Sequence, residues 1–328
     1  MSVGETKINI TSKNIKTWST VGARPTYGLA VMELAKHCED LMVVTADVST
    51  SAGLDRFRKT FPEKFVDVGI AEQNMIGVAA GLADNGYNVF TTTFAPFQTL
   101  RCLDQIKVNL AYSNIKVTMA GLASGLINGP LGNTHCCIED VGALRSIPNL
   151  TILSPADGVG IMKAVFASAK SDQPTYIRLT GGSNNPIVYD EDINFKIGEA
   201  IEIEAGNDLT IFATGTMVFQ SIQAAKILAQ SGIFASVWDM HTLKPIDATA
   251  VRKAADKNKL IVTVEEHNVI GGLSSAVSEC LSTHKFRPFH LSIGVNDFFP
   301  KPGDYQFMLK QCGLTPEQIA QSILSSLK

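Results

Sequence analysis

The sequence predicts an α/β fold: two consecutive domains, each with a mostly parallel sheet flanked by helices. Three observations carry that prediction. Short apolar runs alternate with helical periodicity along the chain, and a break of small polar residues divides the alternation in two. Of the 328 residues, 45% are hydrophobic and only 18% charged, which suits central strands covered on both faces and excludes disorder. The alternation itself indicates right-handed crossovers between parallel strands. The length matches about two domains of roughly 100–200 residues each.

In chain order, an amphipathic helix from about Thr26 to Cys38 leads into an apolar strand at Leu41–Thr45. Further strands are expected at Phe65–Val68, Val89–Thr92, Ile115–Ala120, Leu150–Leu153 and Thr175–Leu179. Helical periodicity fills the intervals at Glu72–Asp84, Thr99–Tyr112, Ile138–Arg145 and Gly158–Ala169. The run Gly181-Gly182-Ser183-Asn184-Asn185-Pro186, followed by Asp190-Glu191-Asp192, reads as a linker. It places the domains at 1–190 and 191–328. The second series has strands at Leu209–Ala213, Ala235–Met240, Lys259–Val264 and Phe289–Ile293. Its helices lie near Val218–Gln230, Ala248–Lys257 and Ser274–Leu281.

Charge and composition exclude several function classes. Lys and Arg total 28 and Asp and Glu 31, a net charge of −3 with no basic stripe, so nucleic acid is not an expected partner. No apolar run approaches the ~18 residues of a membrane span. Met1 to Trp18 is polar and lacks the apolar core of a secretory signal. The six cysteines contain no Cys-x-x-Cys pair. A reduced, cytoplasmic chain with no membrane partner is expected.

The most informative stretch is Val66-Asp67-Val68-Gly69-Ile70-Ala71-Glu72-Gln73-Asn74-Met75, where a strand ends and a small, apolar helix begins. Gly77 and Gly81, four apart, allow another backbone to approach and suggest a helix pair at a subunit interface. A carboxylate at the start of so apolar a helix needs a partner to stay charged. Glu72 either stabilises the helix N-terminus through the macrodipole or serves chemistry. Phe94 and Phe97, at i and i+3, read on spacing alone as core residues. His135 closes the glycine-bearing loop Gly132-Asn133-Thr134-His135. Arg24-Pro25 stands at a helix start, where N–H groups and a guanidinium converge on an anion. Ser51 follows a strand, and Arg178 closes one, where α/β sites usually lie. The alternative for each arginine is a surface ion pair.

This constellation resembles the Gly-x-x-Glu-x-x-Met motif of the pyrimidine-binding domain in transketolase-like thiamine diphosphate enzymes. The resemblance extends through Phe94-Ala95-Pro96-Phe97-Gln98-Thr99-Leu100-Arg101, Asp104-Gln105, Thr134-His135, Arg145-Ser146-Ile147-Pro148-Asn149 and Ser154-Pro155-Ala156-Asp157. In the second half, Met240-His241-Thr242-Leu243-Lys244-Pro245-Ile246-Asp247 and Glu265-Glu266-His267-Asn268-Val269-Ile270-Gly271-Gly272-Leu273 are similar to the family's C-terminal domain. The resemblance implies that Glu72 bonds N1′ of the aminopyrimidine and favours its imino tautomer, which deprotonates the thiazolium. It implies that Phe97 stacks on the pyrimidine with Phe94 beside it, and that His135 contacts a ketose donor. It assigns a sugar phosphate to Arg24, Ser51 and Arg178.

The family holds the cofactor diphosphate through Mg2+ on a separate domain marked by Gly-Asp-Gly, and that tripeptide is absent here. The chain thus resembles the C-terminal subunit of a split transketolase, moving a two-carbon ketol unit from a ketose to an aldose. The expected partner is an N-terminal, diphosphate-binding subunit, in an α2β2 heterotetramer that also self-dimerises. Two positions depart from the family. Gly129-Pro130-Leu131-Gly132-Asn133-Thr134-His135 lacks the acidic pair that normally precedes this histidine, and Leu122-Ala123 lacks a second histidine. These losses keep open a donor such as pyruvate, as in 1-deoxyxylulose-5-phosphate synthase or 2-oxo-acid dehydrogenase β subunits. A non-catalytic interaction subunit is the alternative of another class.

Overall fold

The computed structural model describes residues 8–328; of the polar N-terminal stretch, Met1–Lys7 lies outside the described residues. The first half supplies strands β1 (Leu41–Thr45), β2 (Phe65–Asp67), β3 (Asn88–Phe94), β4 (Val117–Ser124), β5 (Thr151–Leu153) and β6 (Thr175–Thr180). The second supplies β7 (Ile201–Glu204), β8 (Leu209–Ala213), β9 (Ala235–Asp239), β10 (Thr242–Lys244), β11 (Leu260–Asn268) and β12 (Phe289–Val295). They form a seven-stranded sheet ordered β10-β5-β6-β4-β3-β1-β2 and a five-stranded sheet ordered β12-β11-β8-β9-β7. All pairings are parallel except β10 with β5 and β7 with β9. Two α/β domains with mostly parallel sheets result.

The apolar strand runs explain this layering. In β1, Leu41 and Val43 pack toward the helices Ala23–Leu34 and Gly158–Lys170, while Met42 and Val44 pack toward the helix Glu72–Asp84. Every residue of β1 is therefore buried, which is why the strand reads as continuous rather than alternating. The parallel order gathers the loops after β1, β2, β3 and β4 along one edge of the sheet, where α/β sites form.

Some elements differ from expectation for identifiable reasons. The helix expected over Thr99–Tyr112 is a short turn, Leu103–Gln105, continuing into a wider π-helical stretch, Ile106–Tyr112. Helices Ser12–Val21 and Pro316–Ser326 have side-chain N-caps in Thr11 and Thr315 that the apolar periodicity alone does not reveal. Strand β10 has only three residues and comes from beyond the expected boundary at 190/191 to complete the first sheet. Its Lys244 Nζ donates to the carbonyls of Arg145, at 2.9 Å, and Ile147, clamping the two halves together.

Candidate functional site

The turn after β2 sets the first functional side chain. Asp67 Oδ1 accepts the backbone N–H of Asp47 at 3.0 Å and of Gly69 at 2.9 Å, tying two adjacent loops together. Gly69 then takes φ +71, a left-handed value that favours glycine, and the helix opens at Glu72. The Glu72 side chain is 5% exposed, and burying that carboxylate calls for a countercharge. Arg101 provides it, with Nη1 2.8 Å from Glu72 Oε1. The helix also fixes Arg101 from behind, because Gln73 Nε2 donates to the Arg101 carbonyl at 3.2 Å.

The strand β3 delivers the aromatic residues. Phe94 ends it and Phe97 follows in a single helical turn, with the two rings perpendicular and 6.4 Å apart. The Arg101 guanidinium lies over the Phe97 ring, 4.1 Å from its centroid. On the loop after β4, the His135 ring lies 5.4 Å from Phe97 and 6.3 Å from Phe94. That loop is braced from both sides. His135 N–H donates to the Gly132 carbonyl and its Nδ1 meets Thr134 Oγ1, both at 3.0 Å. Asn133 Nδ2 donates to the Pro300 carbonyl at 3.0 Å, so the second domain holds the histidine loop as well. Glu72, the pair Phe94 and Phe97, and His135, from three separate stretches of sequence, thus form one half-open group joined through Arg101.

Arg24 and Ser51 lie elsewhere on the same sheet edge. The loop carrying Ser51 presses on the helix Ala23–Leu34 so closely that a Cβ at Gly28 would come 2.3 Å from the Gly53 carbonyl oxygen. Both side chains are half-buried, and among the described residues no hydrogen bond or ion pair joins either to the Glu72 group.

Arg178 is a correction. It is expected to meet a substrate anion, yet its side chain is 1% exposed and faces inward. Nε donates to both Asp140 oxygens, and Nη2 donates to the carbonyls of Cys137 at 3.2 Å and Glu266 at 2.8 Å. Burial alone works against its charge, but Asp140, Tyr176 and Glu266 hold it above the ordinary arginine value. Its Nε and Nη2 donors are thus committed to the protein itself. The sequence hides this because the partner, Asp140, sits 38 positions away and Glu266 belongs to the second domain.

Nearby, Glu266 is wholly buried and accepts from Leu126 N–H, Thr216 Oγ1 and Tyr305 Oη, each at 2.6 Å. The Glu265-Glu266-His267 stretch is therefore part of the domain seam rather than of the open group. Arg101 is the residue to which sequence reasoning gave no role. Its signal is a cation four residues after Phe97, at the end of the family-like run from Phe94 to Arg101. Among the described residues, no group of three His, Cys, Asp or Glu side chains is arranged to hold a metal ion.

Residues 19–185 match the model of the transketolase pyrimidine-binding domain, and residues 198–319 that of the transketolase C-terminal domain. The chain is 38% identical to a subunit of the apulose-4-phosphate transketolase of Phocaeicola vulgatus, over 94% of this chain and 98% of the relative. It is also 38% identical to a 6-deoxy-6-sulfo-D-fructose transketolase subunit of Clostridium sp. strain MSTE9, over 91% and 92%. A solved structure described as a split gene transketolase, inactive β4 tetramer, superposes with a TM-score of 0.84 at 38% identity, covering 94% of this chain and 98% of that one. A 1-deoxy-D-xylulose-5-phosphate synthase of Caldanaerobacter subterraneus is 34% identical over 92% of this chain, which spans 48% of it. Matched in both domains and along nearly its whole length, the chain belongs to the transketolase family, of which it carries the pyrimidine-binding and C-terminal domains.

Proposed function

We propose that this chain is the C-terminal subunit of a split, thiamine diphosphate-dependent transketolase, transferring a two-carbon ketol unit from a ketose donor to an aldose acceptor. One observation carries the reading: Glu72, Phe97 and His135 converge at the carboxyl edge of the sheet, and the Glu72 carboxylate and Phe97 face already accept a flat cationic group, the Arg101 guanidinium. A carboxylate and an aromatic face are what an aminopyrimidine requires, so the residues present fit this part of the cofactor.

When bound, thiamine diphosphate supplies the nucleophilic carbon and the electron sink. The chain's own residues supply position and protons. Glu72 shares a proton with N1′ of the aminopyrimidine, and its burial keeps bulk water from competing for that bond. Phe97 seats the ring, with Phe94 supporting it edge-on. His135 faces the substrate from a loop held by both domains. Arg24 and Ser51 offer an anion subsite for a phosphorylated substrate, now without Arg178. The diphosphate and its Mg2+ belong to a partner subunit carrying the Gly-Asp-Gly motif that this sequence lacks. An α2β2 heterotetramer in the cytoplasm, with the domains divided at 190/191, completes the reading. The exposed positions Gly77 and Gly81 on the helix Glu72–Asp84, where an added Cβ would meet nothing within 4 Å, support contact with another chain there.

A second reading has one observation behind it. Leu131 is exposed at the lip of the His135 loop, where the family places an acid, so a 2-oxo-acid donor lacking a 3-hydroxyl would lose nothing there. The test is co-expression with a Gly-Asp-Gly partner, followed by transfer assays with ketose phosphates and with pyruvate. Ketol transfer by the complex, and none by this chain alone, is expected. Full activity without a second polypeptide overturns the split-enzyme reading. Carbon dioxide release from pyruvate favours the second reading, and an inert complex favours a non-catalytic interaction subunit.

A further inference from the structure

We infer that Arg101 occupies the aminopyrimidine's place in the free chain, and that this placeholder must swing aside before the cofactor is seated. The inference rests on the reading of Glu72 and Phe97 given above. Two contacts made by one group carry it. The guanidinium lies 4.1 Å from the Phe97 centroid, and its Nη1 is 2.8 Å from Glu72 Oε1. A guanidinium is flat, rich in N–H groups and able to stack on an aromatic face while meeting a carboxylate. An aminopyrimidine bonded through N1′ makes the same pair of demands on the same two residues. Both cannot be satisfied at once.

The surroundings allow an exchange. Only the Arg101 side chain needs to move, because its carbonyl is tethered by Gln73 on the helix that carries Glu72. That side chain is 43% exposed, whereas Glu72 is 5% exposed and fixed at a helix start. The arrangement also has a physical purpose in a subunit awaiting assembly. Removing the countercharge would leave a buried carboxylate uncompensated, so the arginine protects Glu72 until another partner arrives. The cost falls on affinity: a ligand that must displace a competing contact binds more weakly by the fraction of chains in which the site stands open. Secure cofactor binding is thereby deferred until a second subunit adds its own contacts.

The experiment uses the full chain alone and the free aminopyrimidine, 4-amino-5-hydroxymethyl-2-methylpyrimidine, as the probe, with binding followed by calorimetry and ligand-observed NMR. Arg101→Met removes the cation and keeps an aliphatic stem; it is expected to bind the probe about tenfold more tightly than the unaltered chain. Should that variant unfold, Arg101→Gln retains an N–H for Glu72 without the flat cation, and tighter binding is expected of it too. Equal or weaker binding by the folded variant overturns the inference. In parallel, Phe97→Ala and Glu72→Gln are placed in the co-expressed complex and the thiamine diphosphate Kd is measured. If these two weaken cofactor binding while the Arg101 variants gain nothing, the placeholder is wrong and the site stands. If they leave the Kd unchanged, the site reading fails and the placeholder falls with it.

Discussion

Arg178 Nε donates to both carboxylate oxygens of Asp140, at 3.1 and 2.9 Å, in a seam where neither side chain reaches solvent. The same guanidinium reaches the Glu266 carbonyl on β11, so the pair fastens the sheet of the first domain to a central strand of the second. Tyr176 Oη adds a third bond to Asp140 at 2.8 Å. A charged pair buried this completely is costly to break from one side only, since the survivor keeps its charge without a partner.

Arg178→Met and Asp140→Asn are therefore expected to destabilise the chain by about 3–5 kcal/mol. Urea unfolding measures this directly. The KM for a phosphorylated substrate, assayed where the variants remain folded, should stay near the unaltered value. A selective rise in KM with unchanged stability would restore Arg178 to the substrate site.

The fate of Arg178 marks where sequence legibility ends. The helix Glu72–Asp84 and the strand Leu41–Thr45 are readable because local patterning alone specifies them: an apolar small-residue helix after a glycine turn, and a run of five buried residues. The grouping of Glu72, Phe97 and His135 is readable through family likeness, since parallel connections carry all three to one sheet edge. Nothing local distinguishes an arginine at a strand end that faces ligand from one that faces a carboxylate 38 residues away. Likewise β10 crosses to the first sheet through pairing with β5, a tertiary choice that three residues cannot announce.

Glu72→Gln preserves shape but cannot share an acidic proton with N1′. In the co-expressed complex, turnover is expected to fall by about two to four orders of magnitude, with assembly intact by size-exclusion chromatography. The circular dichroism band of the imino tautomer should vanish. Wild-type rates would reduce Glu72 to a residue that merely stabilises a helix start through its ion pair with Arg101.

The pH dependence of stability has a separate origin, far from the open group. Burial lifts the Asp239 carboxyl from 3.8 to about 8, against the opposing hydrogen bond from Tyr189 Oη at 2.6 Å. Between those two values the folded chain holds a proton that the unfolded chain has released. The stability this group contributes is full below the unfolded value and is lost as pH rises toward the folded one. Burial moves Glu265 the same way, to about 7, while it lowers His241, His267 and His290 to about 4. Those histidines contribute above the ordinary histidine value and lose stability as pH falls below it, so they oppose the acids. Asp239→Asn mimics the protonated acid and accepts the same Tyr189 bond. Its unfolding free energy should decline less between about pH 5 and about pH 8 than that of the unaltered chain. Parallel slopes in urea titrations across that window would mean that Asp239 is ionised in the fold.

Substrate choice turns on the loop before His135. Leu131 is 60% exposed in the turn Gly129–Leu131, and Gly132 at φ +75 redirects the chain toward the histidine. The turn is anchored on both sides of Leu131, by Gly303 N–H donating to the Gly129 carbonyl at 3.3 Å and by Asn133 on Pro300. An acid introduced there meets solvent rather than a core, so Leu131→Asp should change stability by no more than about 0.5 kcal/mol. It would restore the carboxylate that the family aims at a donor hydroxyl. Because an unmade or newly made polar contact to one hydroxyl discriminates strongly, kcat/KM for an ordinary ketose phosphate should rise about tenfold relative to its deoxy analogue. The unaltered complex should separate that pair poorly. Competition assays with xylulose 5-phosphate, its deoxy analogue and pyruvate measure both ratios. If the unaltered enzyme already prefers xylulose 5-phosphate strongly, another residue supplies the contact and the exposed leucine has no part in donor choice. If Leu131→Asp instead suppresses a pyruvate reaction, the apolar lip selects a 2-oxo acid, because a carboxylate at the rim repels an anionic donor that a leucine admits.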